Sequence, residues 1–348
     1  MKYFLTGASG FIGGRVARQL REAGHDVVAL VRSRARAAEL AGLGVTLHEG
    51  DVTEKESMRA PMSGMDGVFH IAGWLKIGSA DRGLGDAVNI SGTRNVLELM
   101  SELDIPRGVY TSTVAVFSDT GGKLVDESYH FTPNTPGSQT AGSTPDQPAT
   151  WLSEYDRTKW QAHYEVAEPM VSAGLPLITV MPGLVYGPGD TGIMRATLVQ
   201  YLQRKLPAIP ARTAFCWAHA DDTARGHLLA MERGKPGESY IITGPPHTLV
   251  EAFQIAERIS GVPAPSITLP PTVLRAAASF VGFLERFGRL PLPEAYTAEG
   301  LRVTSGVTYL GDNAKARREL GFDPRPLEVG LRETLLHEMH LLGMRPLP

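Results

Sequence analysis

Lys2-Tyr3-Phe4-Leu5, followed by Thr6-Gly7-Ala8-Ser9-Gly10-Phe11-Ile12-Gly13, opens the chain and decides its fold. An apolar run of strand length meets three glycines spaced three apart. Val16, Ala17, Leu20 and Ala23 then mark one face of a helix that Gly24 is placed to stop. Strand, glycine turn and helix together make a phosphate seat. Glycines let the backbone approach a pyrophosphate, and the unpaired N–H groups of the helix start carry partial positive charge. Glycines alone would mark only a tight turn; their position directly behind the first strand points to a dinucleotide.

Working outward, Asp26-Val27-Val28-Ala29-Leu30-Val31 is a continuous apolar run suited to a strand buried on both faces. It ends in Arg32-Ser33-Arg34-Ala35-Arg36, where such a unit meets the adenosine ribose. An acid there would bind the 2′-hydroxyl, whereas arginine accommodates a 2′-phosphate. The acid is missing, so NADP(H) is favoured over NAD(H), with Arg32 leading and Arg36 helping; a solvated basic turn is the plainer alternative. A third strand, Val45–Glu49, leads to Asp51, which can accept from adenine or cap the following helix. Gly67–Gly73 reads as strand four, a helix follows over 86–103, and Gly108–Thr113 reads as strand five. This alternation predicts an α/β, doubly wound parallel sheet of the Rossmann kind over residues 1–185.

Residues 118–150 break the rhythm with a Pro/Ser/Thr/Gly-rich run, read as a substrate lid or a mobile excursion. Trp151 then leads into a helix reaching about Ser172, on which Tyr155 and Lys159 share one face. A tyrosine has a reference pKa of about 10. A lysine ammonium one turn away is expected to lower it, making Tyr155 a general acid/base for an alcohol oxygen, with Thr113 or Ser112 holding the same oxygen. After a further strand over 176–181, the turn cluster Tyr186–Asp190 marks the start of a smaller substrate-binding lobe, 186–348. Helices are expected there near 193–205, 221–233, 248–260, 271–288 and 327–342. Short strands near 239–243 and 266–269 separate some of them, with some chain crossing back to the sheet.

Composition narrows the classes. Hydrophobic residues make up 43% and charged residues 20%, and the formal net charge is −3, so bulk electrostatics do not favour nucleic acid. The single cysteine, Cys216, rules out an intramolecular disulfide and a cysteine-cluster metal site, and no metal is expected. The apolar stretch Ala276–Leu284 is too short to span a bilayer. Core-type residues follow Met1 almost at once, so a cytoplasmic location is expected.

These motifs resemble the extended short-chain dehydrogenase/reductases, the NAD-dependent epimerase/dehydratase family, whose glycine spacing is the three-apart one. The resemblance spans nearly the whole chain. It implies catalytic roles for Thr113, Tyr155 and Lys159, with Asn89 as the family's helix asparagine. It implies a cofactor seat of Gly7, Ser9, Gly10, Phe11, Ile12, Gly13, Asp51, Val52, Ala72, Gly73, Pro182 and Val185, besides Arg32, Arg36, Tyr155 and Lys159. In that family Lys159 would hold the nicotinamide ribose. The familial Tyr-Gly pair after strand five is replaced by Phe117-Ser118. Sugar-nucleotide members carry a diphosphate-binding arginine where this chain has Phe215, and Val114 and Ala115 lack a dehydratase's acid/base pair. Leu30-Val31-Arg32 and Ala224-Arg225-Gly226-His227 look instead like the dihydroflavonol-reductase and hydroxysteroid-dehydrogenase branch. A reductase acting on a small, rather apolar ketone or aldehyde is therefore expected. A nucleotide-sugar epimerase/dehydratase is the alternative, and a cofactor-sensing regulator, which would normally lose the tyrosine, is the third reading. Trp74, Ser112, Phe117, Met194 and Phe215 are candidates to line the substrate pocket, though core packing explains each equally well. Analogy also suggests a homodimer through helices 89–103 and 154–171.

Overall fold

A computed structural model of the protein describes residues 1–78, 82–133, 151–288 and 292–345. The expected strands form β1 (Lys2–Thr6), β2 (Asp26–Val31), β3 (Thr46–Glu49), β4 (Gly67–His70), β5 (Gly108–Thr111) and β6 (Leu177–Pro182). Beyond them lie β7 (Leu184–Tyr186), β8 (Ala208–Pro210), β9 (Ala214–His219) and β10 (Ser239–Ile242). One sheet takes the order β10-β6-β5-β4-β1-β2-β3, parallel throughout. The order reverses between β1 and β4, which opens a crevice at their carboxyl ends. The strand at 239–242 is thus the seventh strand of this sheet, paired with β6.

The sheet is buried on both faces because helices cover both. On one side α1 (Phe11–Glu22) and, later in the chain, the helix Ala220–Arg233 pack Val16, Leu20, Leu228 and Leu229 against Leu5, Val27 and Val109. On the other side α2 (Lys55–Met62), α3 (Thr93–Glu102) and the helix beginning with α4 (Glu154–Trp160) bury Met58, Val96, Leu97 and Val166 against Phe4, Val68 and Tyr110. Each such side chain contributes roughly 1.5–3 kcal/mol through burial.

Two expected helices are built in pieces. The one over 86–103 enters through a wide π-type segment, Asp86–Gly92, before α3. The one starting at Glu154 widens over Gln161–Ala167 and finishes at Glu168–Ser172. Strand four stops at His70, not Gly73, because the Ile71 and Ala72 amides turn onto Thr6 Oγ1 (3.2 Å each). Strand five stops at Thr111, and Thr113 caps the short helical turn Val114–Phe117.

Residues 118–131 are a fixed strap, not a free loop. The Thr120 amide bonds the Thr308 carbonyl (2.8 Å), Val125 bridges to Gly311, and the Glu127 carboxylate accepts from the Ile241 amide (2.8 Å). The rest of the expected lid, 134–150, lies outside the described residues.

Beyond β7 the chain forms α5 (Ile193–Leu202), then α6 (Ala220–Arg233, the helix already met on the first sheet), β11 (Pro246–Thr248), α7 (Leu249–Ser260), β12 (Ile267–Leu269) and α8 (Pro271–Glu285). After these come α9 (Ala298–Thr304), β13 (Thr308–Tyr309), α10 (Ala314–Leu320) and α11 (Leu327–Leu341). Around β9 a small sheet gathers β11, β13 and β7, and β12 pairs with β8. Helices α9 and α10 and most of these two- to six-residue strands carry too little periodicity to be read from the sequence.

The glycine turn is sterically exacting. Gly7 has φ +75°, and a Cβ on it would fall 2.6 Å from the Ala72 amide nitrogen. On Gly13 a Cβ would fall 2.1 Å from the Gly7 carbonyl oxygen, but on Gly24 it would meet nothing within 4 Å. Gly13→Ala is therefore expected to lose about 1–3 kcal/mol of stability in urea unfolding, because backbone must move to make room. An unchanged midpoint would show that the turn is looser than this geometry.

Candidate active site

The crevice between β1 and β4 begins with the glycine turn. Gly10 caps α1 with no side chain bonded to the helix start, so the first amides, of Phe11, Ile12 and Gly13, face outward without a side-chain cap. Ser9 and Gly10 are exposed beside them. A bare, glycine-lined helix start of this kind fits a pyrophosphate. Arg32, Arg34 and Arg36 are exposed beyond β2, and no carboxylate among the described residues pairs with any of them. That leaves them free to meet a phosphate.

Asp51 takes both the amide and the hydroxyl of Thr53 on Oδ1 (2.9 Å each), a local turn bond, while the helix that follows starts at Lys55 behind Glu54 with no side-chain cap. Val52 is buried under Gly92, where a Cβ would meet Val52 Cγ2 at 2.9 Å. Ala72 and Gly73 line the loop after β4. Pro182 ends β6, and Val185 lies in β7 beside Ala218.

At the ends of β5 and α4 the structure brings Thr113, Tyr155 and Lys159 together. Ser153 caps α4, accepting the Asp156 amide at 3.0 Å, so the helix starts directly under the candidate tyrosine. Thr113 beside the Tyr155 hydroxyl tends to lower its pKa. Burial is the larger effect and pushes it up to about 12. Lys159 is buried one helical turn beyond Tyr155. Its Nζ donates to the Thr111 carbonyl (2.7 Å) and the Tyr110 hydroxyl (3.3 Å), and burial pushes it down to about 7. The shared helical face puts the two side chains on one side, but β5 decides what the ammonium touches.

Asn89 is buried between the loop after β4 and α4. Its Oδ1 accepts from the Trp74 amide (2.7 Å), and its Nδ2 donates to the Trp74 carbonyl (3.0 Å) and Thr158 Oγ1 (2.8 Å). It therefore pins the loop after β4 to the residue before Lys159. Several proposed pocket residues also turn away. Ser112 is buried and bonded to His163 Nδ1 (2.8 Å). Phe117 is in the core, edge-on to Tyr129 of the strap, and Met194 packs in the second lobe's own core. Trp74 is buried against Gly85, which has no Cβ to push it out. Phe215 stays half-buried, stacked on Tyr309 at 5.8 Å with the rings 5° from parallel.

Two buried acids fix the start of α4, and sequence gave no sign of either role. Asp156 accepts from Ser153 Oγ (2.8 Å) and from the Tyr309 hydroxyl (3.1 Å), 153 residues away. Glu299 accepts from the Glu154 amide (2.6 Å) and the Gly78 amide (2.7 Å). Burial pushes Asp156 up to about 7 and raises Glu299 as well. His219, Asp221 and Glu333 bring possible metal-ligand atoms within 4.8 Å of one another. Arg15 and Arg325 already hold the two acids, so the group is an ion-pair network.

A reversed-order parallel sheet, a bare glycine-lined helix start and a tyrosine–lysine pair beside a strand-end threonine define a dinucleotide-binding enzyme of the short-chain dehydrogenase type. Residues 3–243 match the model of the NAD dependent epimerase/dehydratase family, and the chain belongs to that family. It is 28% identical over 338 residues to "Sterol demethylase protein B" of Methylococcus capsulatus, covering 96% of this chain and 97% of that protein. It is 31% identical over 333 residues to the 4-hydroxy-2-methyl-3-oxo-4-farnesyl-3,4-dihydroquinoline-1-oxide ketoreductase of Stigmatella aurantiaca, covering 93% and 92%. The fold is also that of UDP-glucose 4-epimerase from Thermotoga maritima, with a TM-score of 0.73, 21% identity and 98% and 100% coverage. Among the described residues, no helix is long and apolar enough to cross a membrane.

The Asp156 environment predicts a pH signature. Because its pKa is higher folded than unfolded, its protonated form stabilises the fold below about pH 4, and that contribution is lost as pH rises through about 7. Asp156→Asn removes the titration. The melting temperature of the variant should gain on wild type between pH 5 and pH 8. Parallel melting curves across that range would place Asp156 in a wetter site.

Proposed function

We propose that the protein is an NADP-dependent reductase that interconverts a ketone or aldehyde and the alcohol on a small, rather apolar molecule. One observation carries the choice of substrate. Where sugar-nucleotide members hold a diphosphate with arginine, this chain has Phe215, its ring flat against Tyr309 and tied through that hydroxyl to Asp156 beside Tyr155. An aromatic stack offers apolar surface and no cation for a diphosphate. Arg212 is exposed and out of register. The likeness to a ketoreductase of a farnesylated quinoline supports the same reading.

In this reading the outward amides of the glycine turn hold the pyrophosphate, and Arg32 with Arg36 holds the 2′-phosphate. The nicotinamide, when bound, supplies the hydride-transfer chemistry. Thr113 Oγ1 fixes the substrate oxygen, and the Tyr155 hydroxyl gives it a proton in the reducing direction. Lys159 sets the charge around Tyr155 and reaches the ribose. A homodimer in the cytoplasm, paired through 89–103 and 154–171, belongs to the same proposal.

Tyr155→Phe should keep NADPH affinity while lowering turnover about 10²–10⁴-fold against a panel of apolar ketones and aldehydes. UDP-glucose should give no heat in calorimetry with either protein. Undiminished turnover would remove Tyr155 from the chemistry, and micromolar UDP-glucose binding would favour the epimerase reading. Arg32→Ala should weaken NADP binding about tenfold more than NAD binding, about 1.4 kcal/mol. Equal losses would separate the arginines from the 2′-phosphate.

A further inference from the structure

Helix α8 is apolar on both of its faces, and the described structure covers only one. Leu274 and Ala278 are buried, and a Cβ on Gly282 would meet Ala298 Cβ at 3.3 Å, so that side lies on α9. The other side carries Val273, Ala276, Phe280, Phe283 and, just past the helix end, Phe287, spaced three and four apart and so aligned in one stripe. Phe280, Phe283 and Phe287 are 63%, 53% and 78% exposed, and the last two rings meet edge to face at 5.0 Å on the open surface. A helix that is apolar all round belongs in apolar surroundings.

The rest of the chain is not suited to cover this stripe. Residues 79–81, 134–150, 289–291 and 346–348, which lie outside the described structure, hold no aromatic residue and only Leu290 and Leu347 as large apolar ones. A second copy of the chain fits little better. The stripe offers on the order of 400–500 Å², against about 800 Å² that each partner of a standard interface buries. Protein interfaces also form about one hydrogen bond per 100–200 Å². Here Ser279, at the edge of the stripe, already donates to the Arg275 carbonyl (3.0 Å), and the phenylalanines have nothing to offer.

Charge decides between the remaining surroundings. Arg275 and Arg286 stand about three turns apart on the same edge of the stripe. Arg286 is exposed, Arg275 Nε has no hydrogen-bond partner, and no carboxylate among the described residues pairs with either. The one acid of the helix, Glu285, turns inward and accepts the Ala298 amide (3.2 Å). An aromatic stripe edged by unpaired arginines matches the boundary between acyl chains and headgroups of an anionic bilayer, where such helices lie flat. At 15 residues, about 22 Å, α8 is too short to cross one.

We propose that α8 docks the protein on an anionic lipid surface, with Phe280, Phe283 and Phe287 in the acyl boundary and Arg275 and Arg286 at the headgroups. The docked face adjoins the candidate active site. Ala298, against α8, precedes Glu299, whose carboxylate holds the Glu154 amide next to Tyr155 (2.6 Å). An apolar substrate would then reach the site from the lipid. That consequence rests on the reductase reading, whereas the docking itself does not.

Co-sedimentation without substrate or cofactor tests the docking. The vesicles are phosphatidylcholine alone and equal parts of phosphatidylcholine and phosphatidylglycerol. Wild type should pellet with the mixed vesicles. Combining Phe280→Ser, Phe283→Ser and Phe287→Ser should weaken that binding about tenfold or more, with Phe287→Ser alone as the test should the triple variant fail to fold. Arg286→Gln should weaken binding to the mixed vesicles about fivefold and leave the phosphatidylcholine result unchanged. Wild type that stays in the supernatant with both vesicles overturns the proposal, as do serine variants that pellet like wild type or an Arg286→Gln variant that binds the mixed vesicles undiminished. So does a wild type that ignores vesicles but forms a larger oligomer than the serine variants in analytical ultracentrifugation, since the stripe then meets a second copy. Because no substrate is present, a failed search for turnover bears only on the proposed reaction.

Discussion

Everything at the carboxyl edge of the sheet depends on how Thr6 joins β1 to β4. Its hydroxyl oxygen takes the amides of Ile71 and Ala72, which end β4 and bend the chain across the end of β1. That bend brings Ala72 so close to Gly7 that only glycine, at φ +75°, can sit opposite. One hydroxyl thereby sets the floor of the nucleotide crevice and also meets His70 Nδ1 at 2.8 Å. Unsatisfied buried polar groups are costly, so such a joint has few alternatives.

The second constraint is the start of α4. Its first turn is tied to distant parts of the chain through carboxylates: Asp156 to Tyr309, and Glu299 to the amides of Glu154 and Gly78. Tyr155 therefore stands on a helix whose start is tied to the second lobe. The same ties bring Phe215, through its stack on Tyr309, to the site. Phe215, Tyr309 and the start of α4 form one hydrogen-bonded and stacked unit, and a change in either lobe is felt by the other.

Much of the fold could be read from residue pattern. Buried parallel strands are continuous apolar runs, and the helices between them carry a 3.6-residue period, so the strands to β6 were foreseen to within a few residues. The glycine turn and the Tyr155–Lys159 pair were legible because their meaning is local: a spacing along a turn or a helix survives in sequence. Partners brought together by folding left no such trace. Ser112 was a reasonable pocket residue by its place at a strand end, but alternation along the chain turns it to His163. Phe117 and Met194 are apolar, and sequence does not say whether an apolar side chain faces a pocket or a core. The strap over 118–131 reads as a loop because its bonds go to β13 and the sheet edge, more than a hundred residues away.

The glycine spacing, the arginines after β2 and the tyrosine–lysine helix were settled by the sequence itself, since steric freedom, charge and helical period belong to neighbouring residues. They carry the expectation that this chain seats a dinucleotide and the proposal that Tyr155 transfers a proton. The tertiary structure decided what surrounds those groups. It sends Lys159 to Tyr110 and Thr111, raises Asp156 by burying it against Tyr309, and gives Asn89 a loop to hold. Burial and hydrogen-bond partnership are properties of the packed chain, and they set the charge of a lysine or an acid far more than its neighbours in sequence do.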